Sequence, residues 1–292
     1  MWKDTFLKYL QYERNYSEKT ILSYENDLSQ FERFLSGIDE EQNLCIADSD
    51  LIRAWMVSLM EQSYTATSVN RKLSSLRSFY RFLLKRGEIN ADPTQKIVGP
   101  KKKKPLPVFV KEADMEKLLS PENFGEGFED VRDRLILNLF YSTGMRLAEL
   151  IGLDVQDVDF SLSTLKVTGK RNKQRFIPFG EDLKEDLQKY ARLRSELPLS
   201  TTAWIVGKEG SRISRTAVYG IVRNNLSKVV SLKKRSPHVL RHTFATTMLN
   251  NNAELGAVKE LLGHSTLAAT EVYTHTTFEE LKKIYEQAHP RA

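Results

Sequence analysis

Four stretches of this 292-residue chain carry polar side chains that packing alone does not demand. In STGMRLAEL, Arg146 stands just past Gly144, between two apolar helices, with Glu149 one turn on. In TGKRNKQR, Lys170 sits where a strand gives way to a turn. In SPHVLRHTFAT, His238 and Arg241 are three apart and share one helix face, while His242 points elsewhere. Ser236 suits the cap of that helix and Pro237 its first turn. In LLGHSTLAATEVYTH, His264 follows the glycine that ends a helix, and Tyr273 lies nine residues on. Each feature has an ordinary explanation by itself: a surface Arg146–Glu149 ion pair, a lysine-rich hairpin tip, a half-buried inert tyrosine.

Taken together, the residues fit one reaction. A phenol attacking a phosphodiester needs charge neutralised on the non-bridging oxygens, and two arginines offer planar forks of donors for that. The phenol, with an ordinary pKa of about 10, must lose its proton, and the leaving 5′ oxygen must gain one. A lysine and two imidazoles can share that work. Arg146, Lys170, His238, Arg241, His264 and Tyr273 therefore suffice without a metal or other cofactor. No clustering of Asp and Glu suggests the two-metal alternative. The tyrosine would end joined covalently to a phosphate.

The elements that must position these groups are mostly helical. Apolar residues recur at helical spacing in DTFLKYLQYERN and in TILSYENDLSQFERFL, where Ser17 suits the N-cap and Gly37 the end. Asp48 or Ser49 would cap a third helix, DLIRAWMVSLMEQ. A fourth, TSVNRKLSSLRSFYRFLLKRG, has an apolar stripe through Val69, Leu73, Leu76, Phe79, Tyr80 and Leu83. Arg71, Lys72, Arg77, Arg81, Lys85 and Arg86 are expected on its other faces, which suits a DNA groove or backbone. VGPKKKKPLP (98–107) reads as an extended linker, because proline lacks the helical N–H and four lysines repel one another. From residue 108 the pattern is EDVRDRLILNLFYSTG, MRLAELIGL, a hairpin in LKVTGKRNKQRFIPFG, then further helices to FEELKKIYEQAH. The expected fold is mainly α with a small antiparallel β-sheet. It has two domains, a helical one over 1–97 and an α+β one over 108–292.

The bulk numbers agree with a polyanion partner without requiring one. Net charge is +6, but residues 1–60 hold six Lys/Arg against eleven Asp/Glu, and residues 61–107 hold eleven against three. Such a step suggests one acidic surface and one suited to phosphates, or simply a solvated lysine-rich face. No apolar run reaches membrane-spanning length, and MWKDTFLKYLQYERN lacks the apolar core of a signal peptide. The single cysteine, Cys45, rules out an internal disulfide or a cysteine-based zinc site and fits a reducing, cytoplasmic compartment.

TGMRLAEL, GKRNKQRFIPFG, SPHVLRHTFAT, LLGHSTLAATEVYTH and the terminal HPRA resemble the tyrosine site-specific recombinases, and among them the Xer recombinases most. YERNYSEKTILSYENDLSQFERFL and SVNRKLSSLRSFYRFLLKRGEINADPTQKI are similar to that family's core-binding domain, so the resemblance covers nearly the whole chain. It departs at Gly256, where relatives often have arginine, and at Thr247 in FATTML. The resemblance implies a clamp on double-stranded DNA and Tyr273 as nucleophile, giving a 3′-phosphotyrosyl intermediate. It further implies Arg146 and Arg241 on the scissile phosphate, His264 assisting, Lys170 as acid, His238 in proton transfer and Glu149 in support. It implies no ATP and no metal, a Holliday junction within a tetramer, and a segment after Tyr273 docked on a neighbouring subunit. It also implies a dif-like chromosomal site, a paralogous partner and activation by a septal DNA translocase. Candidate DNA contacts are Arg71, Lys72 and Arg77, the linker lysines Lys101, Lys102, Lys103 and Lys104, and Arg212 and Arg215. Alternatives are a mobile-element integrase, a DNA-binding protein that has lost activity, and a relaxing topoisomerase. The core-binding stretch begins almost at once, which favours a chromosomal enzyme over integrases with an extra arm-binding domain.

Overall fold

A computed structural model describes residues 2–102, 108–169, 172–232, 234–263 and 278–292. They form two compact units, Met1–Pro105 and Leu106–Ala292.

The first unit is helical throughout: α1 (Trp2–Lys8), running on into a π-helical turn over Tyr9–Glu13, then α2 (Glu18–Ser36), α3 (Ser49–Glu61) and α4 (Ala66–Arg86). Local chemistry sets the starts. The Ser17 side chain accepts from the Thr20 N–H, Asp48 accepts from Asp50 and Leu51, and Thr65 accepts from Ser68. The apolar stripes meet in a core with Phe6, Leu28, Phe31, Trp55, Leu73, Leu76 and Phe79 at its centre. One buried carboxylate ties α2 to α4. Asp27 accepts from Arg71 through both oxygens, from Lys72 at 2.9 Å and from the Ser75 hydroxyl at 2.7 Å. Burial alone would raise its pKa, but these bonds outweigh it and hold the carboxyl below its ordinary range. Arg77 donates to the Ile97 carbonyl at 2.6 Å and Asn70 to that of Pro100 at 2.8 Å. The expected linker over 98–107 is therefore fixed to α4 as far as Pro100.

The second unit contains α5 (Glu112–Leu119), α6 (Phe128–Thr143) and α7 (Leu147–Gly152). A sheet of β1 (Val158–Asp159), β2 (Thr164–Thr168) and β3 (Gln174–Pro178) follows, then α8 (Glu181–Ser195), α9 (Arg215–Val229), α10 (Pro237–Asn250), α11 (Leu255–Leu262) and α12 (Phe278–Ala288). The sheet is antiparallel in the order β1-β2-β3, and Leu165 pairs with Ile177. The hairpin agrees with the sequence reading, and Gln174 already pairs with Thr168. The short strand β1 and helix α5 go beyond that reading. Helix α6 is buried nearly all round, from Leu135 to Thr143. Its polar residues are satisfied in place: Asn138 donates to Asp186 at 2.7 Å, and Ser142 donates to Asn138 at 2.8 Å.

Helix α12 packs within the second unit. Leu281, Tyr285 and Ala288 are buried against Phe244, Met248 and Leu261 of the same chain. His289 beyond it is also buried, its Nε2 3.1 Å from the Tyr141 carbonyl and its ring stacked on Tyr285.

Candidate active site

Arg146 occupies the N-cap position of α7 with extended backbone (φ −80°, ψ 152°). Its backbone N–H donates to Glu149 Oε2 at 2.7 Å and its Nη1 to Glu149 Oε1 at 2.8 Å. The ordinary expectation of an Arg146–Glu149 pair is met, but not on a surface, since the Glu149 side chain is only 1% exposed. A second arginine completes the pair. Arg175 of β3 donates from Nη1 and Nη2 to the two Glu149 oxygens, at 2.8 and 3.0 Å. Burial would raise the Glu149 pKa, but the bonds from Arg175 and Arg146 prevail and keep it below the carboxylate range. Glu149 is an anion with four donors around it, and it fixes where Arg146 points.

Arg241 comes from α10 and converges on the same place. Its Nη1 donates to the Gly144 carbonyl at 2.6 Å and its Nη2 to that of Leu262 at 2.7 Å. Arg146 Nη2 donates to the next carbonyl, Gly263, at 3.0 Å. Both guanidiniums are thus braced by carbonyls at helix C-termini, where exposed C=O groups favour cations. Two glycines make this possible. Gly144 (φ +58°) leaves no room for a Cβ, which would lie 2.5 Å from Phe244 and 2.7 Å from Leu262. Gly263 (φ +63°) closes over the Arg175 guanidinium, 3.0 Å from where its Cβ would be. Burial, then repulsion from Arg146, lowers the Arg241 pKa to about 10, against the attraction of Glu149. It stays charged at neutral pH. Three guanidiniums around one carboxylate leave an excess of positive charge, which an anion such as phosphate would relieve.

His238, one turn before Arg241 on the same face of α10, is exposed. Ser236 holds the N-cap position, but its side chain makes no capping bond, unlike the sequence expectation. Lys170, His264 and Tyr273 lie outside the described residues, as do Lys103 and Lys104. The residues that precede Lys170 and His264 in the chain are placed. Gly169, which precedes Lys170, packs so that its Cβ would be 3.3 Å from Glu149 Oε1. Gly263, which precedes His264, gives its carbonyl to Arg146. The structure therefore brings Arg146, Glu149 and Arg241 together and adds Arg175. The sequence reading does not single out Arg175, whose partner is 26 residues away in the chain. Its position on the pleat opposite the hairpin's exposed residues was the one available signal.

The candidate DNA contacts divide. Lys72 is 7% exposed and its ammonium is bonded to Asp27. Arg212 donates to the Ile151 and Leu153 carbonyls and to Asp154, closing a loop within its own unit. Arg71 and Arg77 are also engaged, with Asp27 and the Ile97 carbonyl, although half of the Arg71 side chain faces solvent. Arg215, Lys101 and Lys102 are exposed, as are Arg81 and Lys85 on α4. Thr247, the departure noted on α10, is buried.

Comparison with known proteins covers both units. Residues 109–280 match the model of the phage integrase family, and residues 4–87 match that of the phage integrase N-terminal SAM-like domain. The tyrosine recombinase XerC of Chlorobaculum parvum is 40% identical over 100% of this chain and 95% of its own. The tyrosine recombinase XerC of Listeria innocua is 39% identical, covering 98% of this chain and 97% of its own. Among solved structures, the XerH site-specific recombinase bound to a palindromic difH substrate, in a post-cleavage complex, shares the fold. Its TM-score is 0.73 at 21% identity, over 96% of this chain and 83% of that one.

Proposed function

The chain belongs to the phage integrase family as a Xer-type tyrosine recombinase, an enzyme that cleaves and rejoins DNA, and on that premise we propose that it resolves chromosome dimers at a short dif-like dyad site. The observation that carries the cleavage chemistry is the convergence of Arg146 and Arg241 on the carbonyls of Gly144, Leu262 and Gly263, and the chromosomal site is supported by the likeness to the XerC relatives. That arrangement fixes two forks in one place before any anion arrives, so their alignment need not be found during the reaction.

In this reading the phosphodiester lies on Arg146 and Arg241, assisted by His264. The Tyr273 phenol loses its proton, with His238 acting in the transfer, and its oxygen attacks phosphorus. The bond from phosphorus to the 5′ oxygen breaks, and Lys170 supplies the proton that oxygen gains. A 3′-phosphotyrosine and a free 5′-hydroxyl result, and the bond energy is retained for rejoining, without ATP. A second strand's 5′-hydroxyl reverses the step, and two exchanges in turn pass through a Holliday junction within a tetramer. A paralogous recombinase as partner, a septal DNA translocase as activator and a cytoplasmic setting belong to the same proposal. No helix of the described residues is long and apolar enough to cross a membrane.

Sequencing the DNA covalently trapped on the chain in its host tests the chromosomal role. The proposal requires a single chromosomal dyad. Trapping at the ends of a resident mobile element instead would replace the dimer-resolution role with that of an integrase.

A further inference from the structure

We propose that Arg175 is a positioning residue for DNA cleavage, setting the Arg146 guanidinium and the exit of α11 against each other. It touches three parts of the site at once. Its Nη1 and Nη2 hold both oxygens of Glu149, which in turn hold the backbone and side chain of Arg146. Its Nε donates to the Leu261 carbonyl at 2.8 Å, at the end of α11. Its side chain lies under Gly263, close enough that a Cβ there would meet it at 3.0 Å. Arg175 itself sits on β3 opposite Val167, three residues before Lys170.

The chemistry favours arginine specifically. Only a planar fork can give two parallel bonds to one carboxylate and a third, from Nε, to a carbonyl. Lysine would keep the charge and lose the geometry. Arg175 is 15% exposed and its Nη atoms are occupied by Glu149, so it acts through Glu149 rather than on the phosphate. Removing it leaves Arg146 bonded to a carboxylate free to swing, and releases the carbonyl end of α11 from which the chain runs to His264. A misplacement of about 1 Å at a reacting centre costs on the order of 100-fold in rate.

This inference rests on the recombinase reading, and the test separates the two. The substrate is a nicked duplex built on the sequence that the wild-type chain selects from random DNA. It is made once with a normal scissile phosphate and once with a methylphosphonate there. Arg175→Gln is expected to form the covalent adduct about 30–100-fold more slowly on the phosphate, with DNA affinity changed by no more than about threefold. On the methylphosphonate, which has no anionic oxygen for Arg146 to neutralise, the deficit should shrink to about threefold or less. A loss of folded enzyme would lower both rates equally. Arg175→Lys should show the same pattern with a smaller deficit, and it carries the test if Arg175→Gln does not fold. Equal deficits on the two substrates, or none, overturn the inference alone. A wild-type chain that forms no adduct with the phosphate substrate overturns the recombinase reading and this inference with it.

Discussion

Replacing Gly144 by alanine should damage the second unit through two separable effects. The residue has φ +58°, and an L side chain in that region costs about 1–2 kcal/mol. The added methyl would also lie 2.5 Å from Phe244 and 2.7 Å from Leu262, both buried, and overpacking of that kind costs about 1–3 kcal/mol. The sum is about 2–5 kcal/mol. For a unit of this size that lowers the melting temperature by roughly 5–15 °C. The same shift pushes on the carbonyl that holds Arg241, so the variant that still folds should cleave DNA more slowly. Gly220 on α9 is the matched control. Its Cβ would meet nothing within 4 Å and its φ is not positive, so Gly220→Ala should stabilise by about 0.5–1 kcal/mol. Scanning calorimetry of the full chain reads both. A melting temperature unchanged in Gly144→Ala, or lowered equally in Gly220→Ala, would refute this account of how Arg241 is braced.

Asp27→Asn should destabilise the first unit by about 3–5 kcal/mol in urea unfolding, because it leaves the buried Lys72 ammonium without its counter-ion; a loss below about 1 kcal/mol would show that the Asp27 cluster does not hold α2 to α4. His289 is buried and its pKa is lowered to about 4, so it is neutral in the fold, and the unfolded chain takes up its proton first as pH falls. Stability should therefore be intact above the ordinary histidine pKa of about 6.5 and fall by about 1.4 kcal/mol per pH unit from there towards 4. His289→Phe should remove that part of the slope, and an unaltered pH profile would contradict the buried neutral imidazole. Changing Lys101–Lys104 to alanine should weaken binding to every DNA and lower the salt slope by about 0.9 for each phosphate no longer neutralised. A slope that stays the same would remove the linker from the DNA interface.

What could be read from the sequence was local. Caps at Ser17 and Asp48, the stop at Gly144 and the β2–β3 hairpin depend on residues a few positions apart, and the structure places them as expected. The same holds for His238 and Arg241, one turn apart on α10. What escaped depended on distant partners. The basic residues of α4 looked equivalent by spacing, yet Lys72 is buried because Asp27, 45 residues earlier, meets it. Arg212 likewise looked like a surface cation until the loop carbonyls at Ile151 and Leu153 came into reach. Arg175 was hidden for the same reason: its role exists only once β3, α7 and the end of α11 are adjacent. Strand β1 is two residues long and carries no periodicity to detect.

The central claim is that Tyr273 cleaves DNA on a phosphate held by Arg146 and Arg241. The most direct measurement incubates the chain, in EDTA, with duplex DNA of the host's chromosomal dimer-resolution site, nicked near the cleavage point so that the adduct cannot reseal. Peptide mapping then locates the attachment. The expected result is a covalent 3′-phosphate adduct on Tyr273 in the absence of metal, absent in Tyr273→Phe and strongly reduced in Arg146→Ala and Arg241→Ala. An adduct that persists in Tyr273→Phe, or that forms only when a divalent metal is added, would contradict the claim.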